Sequence, residues 1–260
     1  MMVQWWLVVL VAVLSGIAGG VLVAWLLRGW PAQHSASGQA APMTVDIMRN
    51  GDLEGTYNQI DNTTLVACDF MPFYSSVQSE LGSEVCQKPE FKPIPRSLAP
   101  YRIKSGDTAQ CLFIRWKLYD GGLWQECQVP AGALVRFSGW VQTWCSQSDD
   151  PHADDGELYF QLGLDLDGGI NPWAPEVLWS GWERGTRAYQ ELEISAIATG
   201  PWVTCFVRAA NKWRVSHNDA YIDLLRLEVS GGGVAPGRYV DRAWLASAYD
   251  GLASGLRGIE

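Results

Sequence analysis

Residues 133–145 read ALVRFSGWVQTWC, and this run decides the fold. At a period of two, Val135, Phe137, Gly139, Val141 and Cys145 share one face, and Arg136, Ser138, Trp140, Gln142 and Trp144 share the other. One face is apolar; the other is polar yet aromatic. The same split recurs on either side. Within 158–166, Leu158, Phe160, Leu162 and Leu164 oppose Tyr159, Gln161 and Asp165, and within 202–209, Val203, Cys205 and Val207 oppose Trp202, Thr204, Phe206 and Arg208. Alternation of this kind marks strands with one face on a core.

Further β-type runs at 64–70, 108–117, 123–129, 189–199 and 221–229 are separated by Gly, Pro, Asp and Asn. Together the runs predict an all-β, jelly-roll β-sandwich over residues 45–230. Asp120-Gly121-Gly122 predicts a hairpin turn joining 108–117 to 123–129, since Gly tolerates the positive φ of such turns. The Pro-rich, weakly periodic stretch 72–100 predicts a long ordered insertion.

Composition agrees with this class. The chain has 260 residues, 48% of them hydrophobic, and carries 14 Trp, 27 Gly and 13 Pro, a mixture of large rings and turn residues typical of a loop-rich β domain. Its formal net charge is -9, which gives no general attraction for a polyanion and argues against nucleic acid or anionic lipid as partner.

No charged side chain precedes Arg28, and the apolar stretch 5–27 is long enough to cross a bilayer, with Trp5, Trp6, Trp25 and Trp30 at its ends. Residues 1–30 therefore predict a single-pass transmembrane helix that anchors the protein. A cleaved signal peptide is the rival reading, with Gly38-Gln39-Ala40 as its cleavage-like site. Gly16 and Gly20 suit close packing of two such helices, and hence a homo-oligomer, or else form a small-residue face of one helix. Residues 31–44 are small and polar and predict a flexible stalk. Residues 231–260 predict a Gly-rich linker and a short amphipathic C-terminal helix, with Val240, Trp244, Ala248, Leu252 and Leu256 recurring every fourth position.

Arg28 alone would keep the domain in the cytoplasm by the positive-inside rule, whereas six Cys in a β-rich chain favour an oxidising compartment. The expectation is an extracytoplasmic domain. Cys111 with Cys127, across the Asp120 turn, and Cys68 with Cys86, in the insertion, are candidate disulfides; Cys145 and Cys205 fall on inward faces as core thiols.

Candidate binding residues follow from the aromatic faces. A sugar ring offers an apolar C–H face and a belt of hydroxyls, so Trp140, Gln142, Trp144 and Tyr159 supply stacking surface beside hydrogen-bonding groups. The competing reading buries these rings under the insertion as a second small core. Trp173, which ends the Gly-rich connection Asp165-Leu-Asp-Gly-Gly-Ile-Asn-Pro-Trp173, joins Trp182 and Trp213 as candidate rim residues. Trp179 and Trp182 also suit plugs at a sheet end, and Asp165 and Asp167 suit turn formers.

Several segments resemble a family. Asn50-Gly-Asp-Leu-Glu54, Gly122-Leu-Trp-Gln-Glu-Cys-Gln-Val-Pro-Ala-Gly132 and Ala220-Tyr-Ile-Asp-Leu-Leu-Arg-Leu227 resemble the carbohydrate-binding-module-like, galactose-binding-like jelly rolls, and Leu164-Asp-Leu-Asp-Gly-Gly-Ile-Asn-Pro172, Val177-Leu-Trp-Ser180 and His217-Asn-Asp-Ala-Tyr-Ile-Asp223 resemble an exported bacterial subset of them. The resemblance implies a glycan or polysaccharide ligand on the concave face or loop rim. It also implies a structural Ca²⁺ where the first loop meets the last strand, with Asp52, Glu54 and Asp223 as carboxylate ligands. Leu224 stands where the family often has a second acid.

His34, His152 and His217 show no zinc spacing, and the chain has no G-x-S-x-G, P-loop or dinucleotide fingerprint. The reading is a membrane-anchored carbohydrate-binding protein of the cell surface without catalysis. The alternative is an adhesion or assembly protein that uses the Trp-rich face for protein contact.

Overall fold

The computed structural model describes residues 44–231. In chain order its strands are β1 (Val45–Asp46), β2 (Tyr57–Asp61), β3 (Thr64–Ala67), β4 (Met71–Tyr74), β5 (Glu90–Pro95), β6 (Thr108–Phe113) and β7 (Asp120–Gln128). They continue with β8 (Leu134–Ser146), β9 (Leu158–Asp165), β10 (Leu178–Trp179), β11 (Glu183–Arg184), β12 (Gln190–Ile197), β13 (Trp202–Asn211) and β14 (His217–Ser230). The first sheet runs β12-β8-β14-β6-β5-β3-β2, with β1 also on β14; the second runs β10-β9-β13-β7-β4, with β11 also on β9.

The inward faces of the two sheets share one core, in which Val135, Phe137 and Val141 of β8 meet Leu158, Phe160, Leu162 and Leu164 of β9. The protein is thus a β-sandwich, and the alternation along β8, β9 and β13 assigns their inward residues correctly. Burial of these apolar side chains is the main term holding the sheets together.

The hairpin at Asp120 does not form. β6 and β7 belong to different sheets, and Asp120, Gly121 and Gly122 are the first residues of β7, paired with Ala210, Ala209 and Arg208 of β13. Gly122 is required by packing instead of by a turn: a Cβ there would sit 1.8 Å from the Val207 carbonyl oxygen. The 72–100 stretch is no insertion outside the sheets, because it supplies most of β4 to the second sheet and all of β5 to the first.

All six cysteines are free thiols, so the expected disulfides are corrected. Cys111 lies on β6 in the first sheet and Cys127 on β7 in the second; Cys68 is held by Thr56 and Asn58. Cys145 and Cys205 are buried core thiols, as their inward positions implied.

The only helix among the described residues is the 3-10 turn Pro100–Arg102. No helix among them is long and apolar enough to cross a membrane. The expected transmembrane helix, the stalk at 31–44 except for Thr44, and the C-terminal helix lie outside the described residues.

Candidate functional site

The outer face of the second sheet is built in rows by strand register. Gly122, Arg208 and Gln161 align across β7, β13 and β9; the next row holds Trp124, Phe206, Gly163 and Trp179. Gly163 leaves room for Trp179, whose ring lies 2.7 Å from the place its Cβ would occupy. The connection from β9 to β10 folds back over these rows, so that Ile170, Ala174 and Val177 pack on Phe73, Trp124 and Phe206.

Beside this cover sits a ring-lined site. The Arg208 guanidinium carbon lies 4.8 Å from the ring centre of Trp173, 5.4 Å from that of Trp179 and 4.8 Å from that of Trp182. Arg208 donates through Nε to Asp120 Oδ1 at 2.6 Å, through Nη2 to Asp120 Oδ2, and through Nη1 to Gln161 at 3.3 Å. Glu80 adds an ion pair at 3.1 Å. Burial would lower the Arg208 pKa, but the hydrogen bonds and charge of Asp120, with Glu80, hold it above its ordinary value. Asp120 is raised, because its burial outweighs the pull of Arg208.

A buried cation that spends its donors on carboxylates and an amide fixes the rings around it. Trp173 remains 43% exposed and Trp182 is half-buried, so both present ring surface to solvent. One row along, Tyr159 and Trp213 both donate to Glu157, at 2.6 and 3.1 Å, and Lys212 pairs with it at 3.1 Å. These three bonds hold the Glu157 carboxyl down at about 2.

The structure therefore groups Trp173 and Trp182 around Arg208, and Tyr159 with Trp213 around Glu157. It places Trp140, Gln142 and Trp144 elsewhere, on the outer face of the first sheet. There the segment between β5 and β6 forms a second small core with Ile94, Ile103, Ala109, Cys111 and Tyr221, against which Trp144 packs. Gln142 is buried and donates to the carbonyls of Tyr101, at 3.1 Å, and Arg187. Trp144 stacks on His217 at 3.6 Å between ring centres, and Lys104 Nζ lies 3.4 Å from the centre of the Trp140 ring. The cover over Gln142 and Trp144 thus comes from the segment between β5 and β6, most of it beyond the 72–100 stretch.

The sequence alone does not single out Asp120, whose Asp-Gly-Gly setting reads as a turn, or Arg208, which it places only on the strand face opposite Val203, Cys205 and Val207. The signal available for Arg208 was its place among Trp202, Thr204 and Phe206 on a polar-aromatic strand face. Glu80 and Phe73 gave none, since only chain folding brings them to this face.

Of the expected calcium ligands, Glu54 and Asp223 reach one turn. Asp223 Oδ2 accepts the N–H groups of Lys104 and Ser105 at 2.9 and 3.1 Å, and Glu54 Oε1 those of Asp107 and Thr108 at 2.8 and 3.1 Å. Burial pushes Asp223 up to about 6, against those bonds and with a smaller push from Glu54. Asp52 is exposed and accepts only the Glu54 N–H, at 3.4 Å. Among the described residues no group of three or more His, Cys, Asp or Glu is placed to hold a metal. Backbone N–H groups already use Glu54 Oε1 and both oxygens of Asp223, and they compete with an ion for those lone pairs. Gly51 belongs to the same clamp: its carbonyl accepts the Leu225 N–H at 2.7 Å, and a Cβ on it would sit 2.0 Å from the Leu225 carbonyl oxygen.

No family model matches the chain, and no curated protein matches it. Among solved structures it is similar to the carbohydrate-binding module TmCBM61 in complex with beta-1,4-galactotriose, at 12% identity and TM-score 0.45, over 70% of this chain and 97% of that one. It is similar to the Stig cyclase Fisc from Fischerella sp. TAU in complex with (3Z)-3-(1-methyl-2-pyrrolidinylidene)-3H-indole, at 13% identity and TM-score 0.48, over 74% of this chain and 100% of that one. A CBM4 structure matches at 9% identity and TM-score 0.38, over 70% of this chain and 99% of that one. The neighbours thus include carbohydrate-binding modules alongside cyclases.

Proposed function

We propose that the sandwich is a non-catalytic carbohydrate-binding domain whose ligand lies on the outer face of the second sheet, over Trp173 and Trp182. The observation that carries this reading is the set of three Trp rings fixed around one buried Arg208, two of them with ring surface open to water. Rigid rings offer stacking surface to sugar C–H faces at little entropic cost, and Tyr159 and Glu157 provide hydrogen-bonding groups one row along. Asp120 and Glu80, the carboxylates that pair with Arg208 beneath the rings, are both committed to that cation, which supports binding over hydrolysis. A glycan array probed with the full chain in detergent tests the proposal. Saturable binding to a glycan that is lost in Trp173→Ala is expected; binding to no glycan, with capture of a protein through the same rings, supports adhesion instead.

The apolar stretch 5–27 and the polar stretch 31–42 support anchoring beside a membrane, and a glycan ligand is consistent with a domain on its extracytoplasmic side. An impermeant protease added to intact cells is expected to release the domain by cutting within 31–42. Protection until lysis would place it in the cytoplasm.

A further inference from the structure

The row of the second sheet beyond Phe206 holds three oxygen-bearing side chains. Register aligns Glu126 of β7 with Thr204 of β13, and Thr204 with Asp165 of β9, on the same outer face as Trp124 and Phe206. Thr204 is 0% and Asp165 2% exposed, yet Thr204 Oγ1 and Asp165 Oδ2 have no hydrogen-bond partner. The other Asp165 oxygen is occupied: Oδ1 accepts the Asp167 N–H at 3.0 Å.

The turn after β9 lies over this row. A Cβ on Gly169 would sit 2.3 Å from Asp165 Oδ2, and one on Gly168 would sit 3.3 Å from Glu126 Oε1. The two carboxylates, on strands either side of β13, thus approach adjacent glycines of one turn, with the Thr204 hydroxyl aligned between them. Arg49, the cation that acts on Glu126, is paired with Asp69 at 3.4 Å. A buried carboxylate oxygen without a donor is costly unless a positive charge or a proton answers it.

We propose that Asp165 Oδ2, the Glu126 carboxylate and Thr204 Oγ1 form a site for a hard divalent cation of the Ca²⁺ type beneath the Gly168-Gly169 turn. The donors are all oxygens, two of them anionic, which suits Ca²⁺ and not a softer metal. Three side chains leave coordination positions for water and carbonyl groups. The site is separate from Glu54 and Asp223 and does not depend on the carbohydrate reading. Its consequence is to pin the turn that leads to Trp173.

The test uses the full chain in detergent, with Ca²⁺ against chelator in thermal unfolding and Tb³⁺ as luminescent probe. Trp202 lies beside the turn, its Cβ 2.6 Å from the place of a Gly168 Cβ, and serves as sensitiser. Ca²⁺ is expected to raise the parent Tm and to displace Tb³⁺, and Asp165→Asn and Glu126→Gln are each expected to weaken binding about tenfold or more. Glu126 is partly exposed, so Glu126→Gln decides the matter if Asp165→Asn fails to fold. A parent indifferent to Ca²⁺ and dark with Tb³⁺ overturns the proposal and leaves a buried water as the partner. Binding that survives Glu126→Gln but is lost in Glu54→Gln overturns it equally, by placing the ion at the other turn.

Discussion

Arg208 and Asp120 form a two-pronged ion pair on the second sheet, with each side chain only 4% exposed. One comes from the middle of β13 and the other from the start of β7, and together they form the floor on which Trp173, Trp179 and Trp182 stand. The pair ties the stability of the face to the geometry of its rings.

Removing one partner leaves the other charge buried, so Asp120→Asn is expected to cost about 3–5 kcal/mol of unfolding free energy in urea. Replacing both, as Asp120→Leu with Arg208→Met, is expected to recover most of that loss while leaving the rings unsupported. A single variant as stable as the parent would show that the pair is not buried in solution.

Trp173→Ala or Trp182→Ala is expected to remove about 1–3 kcal/mol of glycan affinity, by analogy with ring stacking on bases, in titration calorimetry. Unfolding midpoints should move little. Trp144→Ala is expected to do the reverse, costing about 3 kcal/mol of stability with affinity intact, because that ring packs against His217 and the cover of the first sheet.

Glu157 gives a pH signature. Its native carboxyl is held at about 2 against an ordinary 4.5, chiefly by the Tyr159 hydroxyl and then by Trp213 and Lys212. Its stabilisation is therefore complete above about pH 4.5 and is lost as pH falls through about 2. Glu157→Gln should flatten that part of the acid limb, by about 1 kcal/mol or less for a surface group. Carboxyl NMR that finds Glu157 titrating near 4.5 would refute the assignment.

Thiol counting checks the cysteines. Five of the six are buried and Cys68 is half-buried, so a thiol reagent is expected to react quickly at Cys68 alone in the native protein and at all six after unfolding. Fewer than six thiols in the unfolded, unreduced chain would reveal a disulfide.

The sequence of β8, β9 and β13 suffices to assign their inward faces, since alternation is a local consequence of the pleat: whatever strand pairs beside it, every second side chain points the same way. Trp173 and Trp182 were legible as candidates for the same local reason, as rings in Gly- and Pro-punctuated connections. Which outward face stays open to a ligand is not a local property. On β8, Gln142 is buried and Trp144 packs half-buried against the small core that includes the segment between β5 and β6, whereas the outward residues Thr204, Phe206 and Arg208 of β13 are buried and the exposed ring surface belongs to Trp173 and Trp182 in the connections beside them. Asp120-Gly-Gly has the composition of a turn, yet long-range pairing with β13 made it a strand and turned Asp120 toward Arg208, 88 residues away. Strand pattern was thus set by the chain's own covalent periodicity, while cover, sheet membership and the Arg208 site were decided by tertiary closure, because segments far apart in sequence must meet before either the burial or the charge pairing exists.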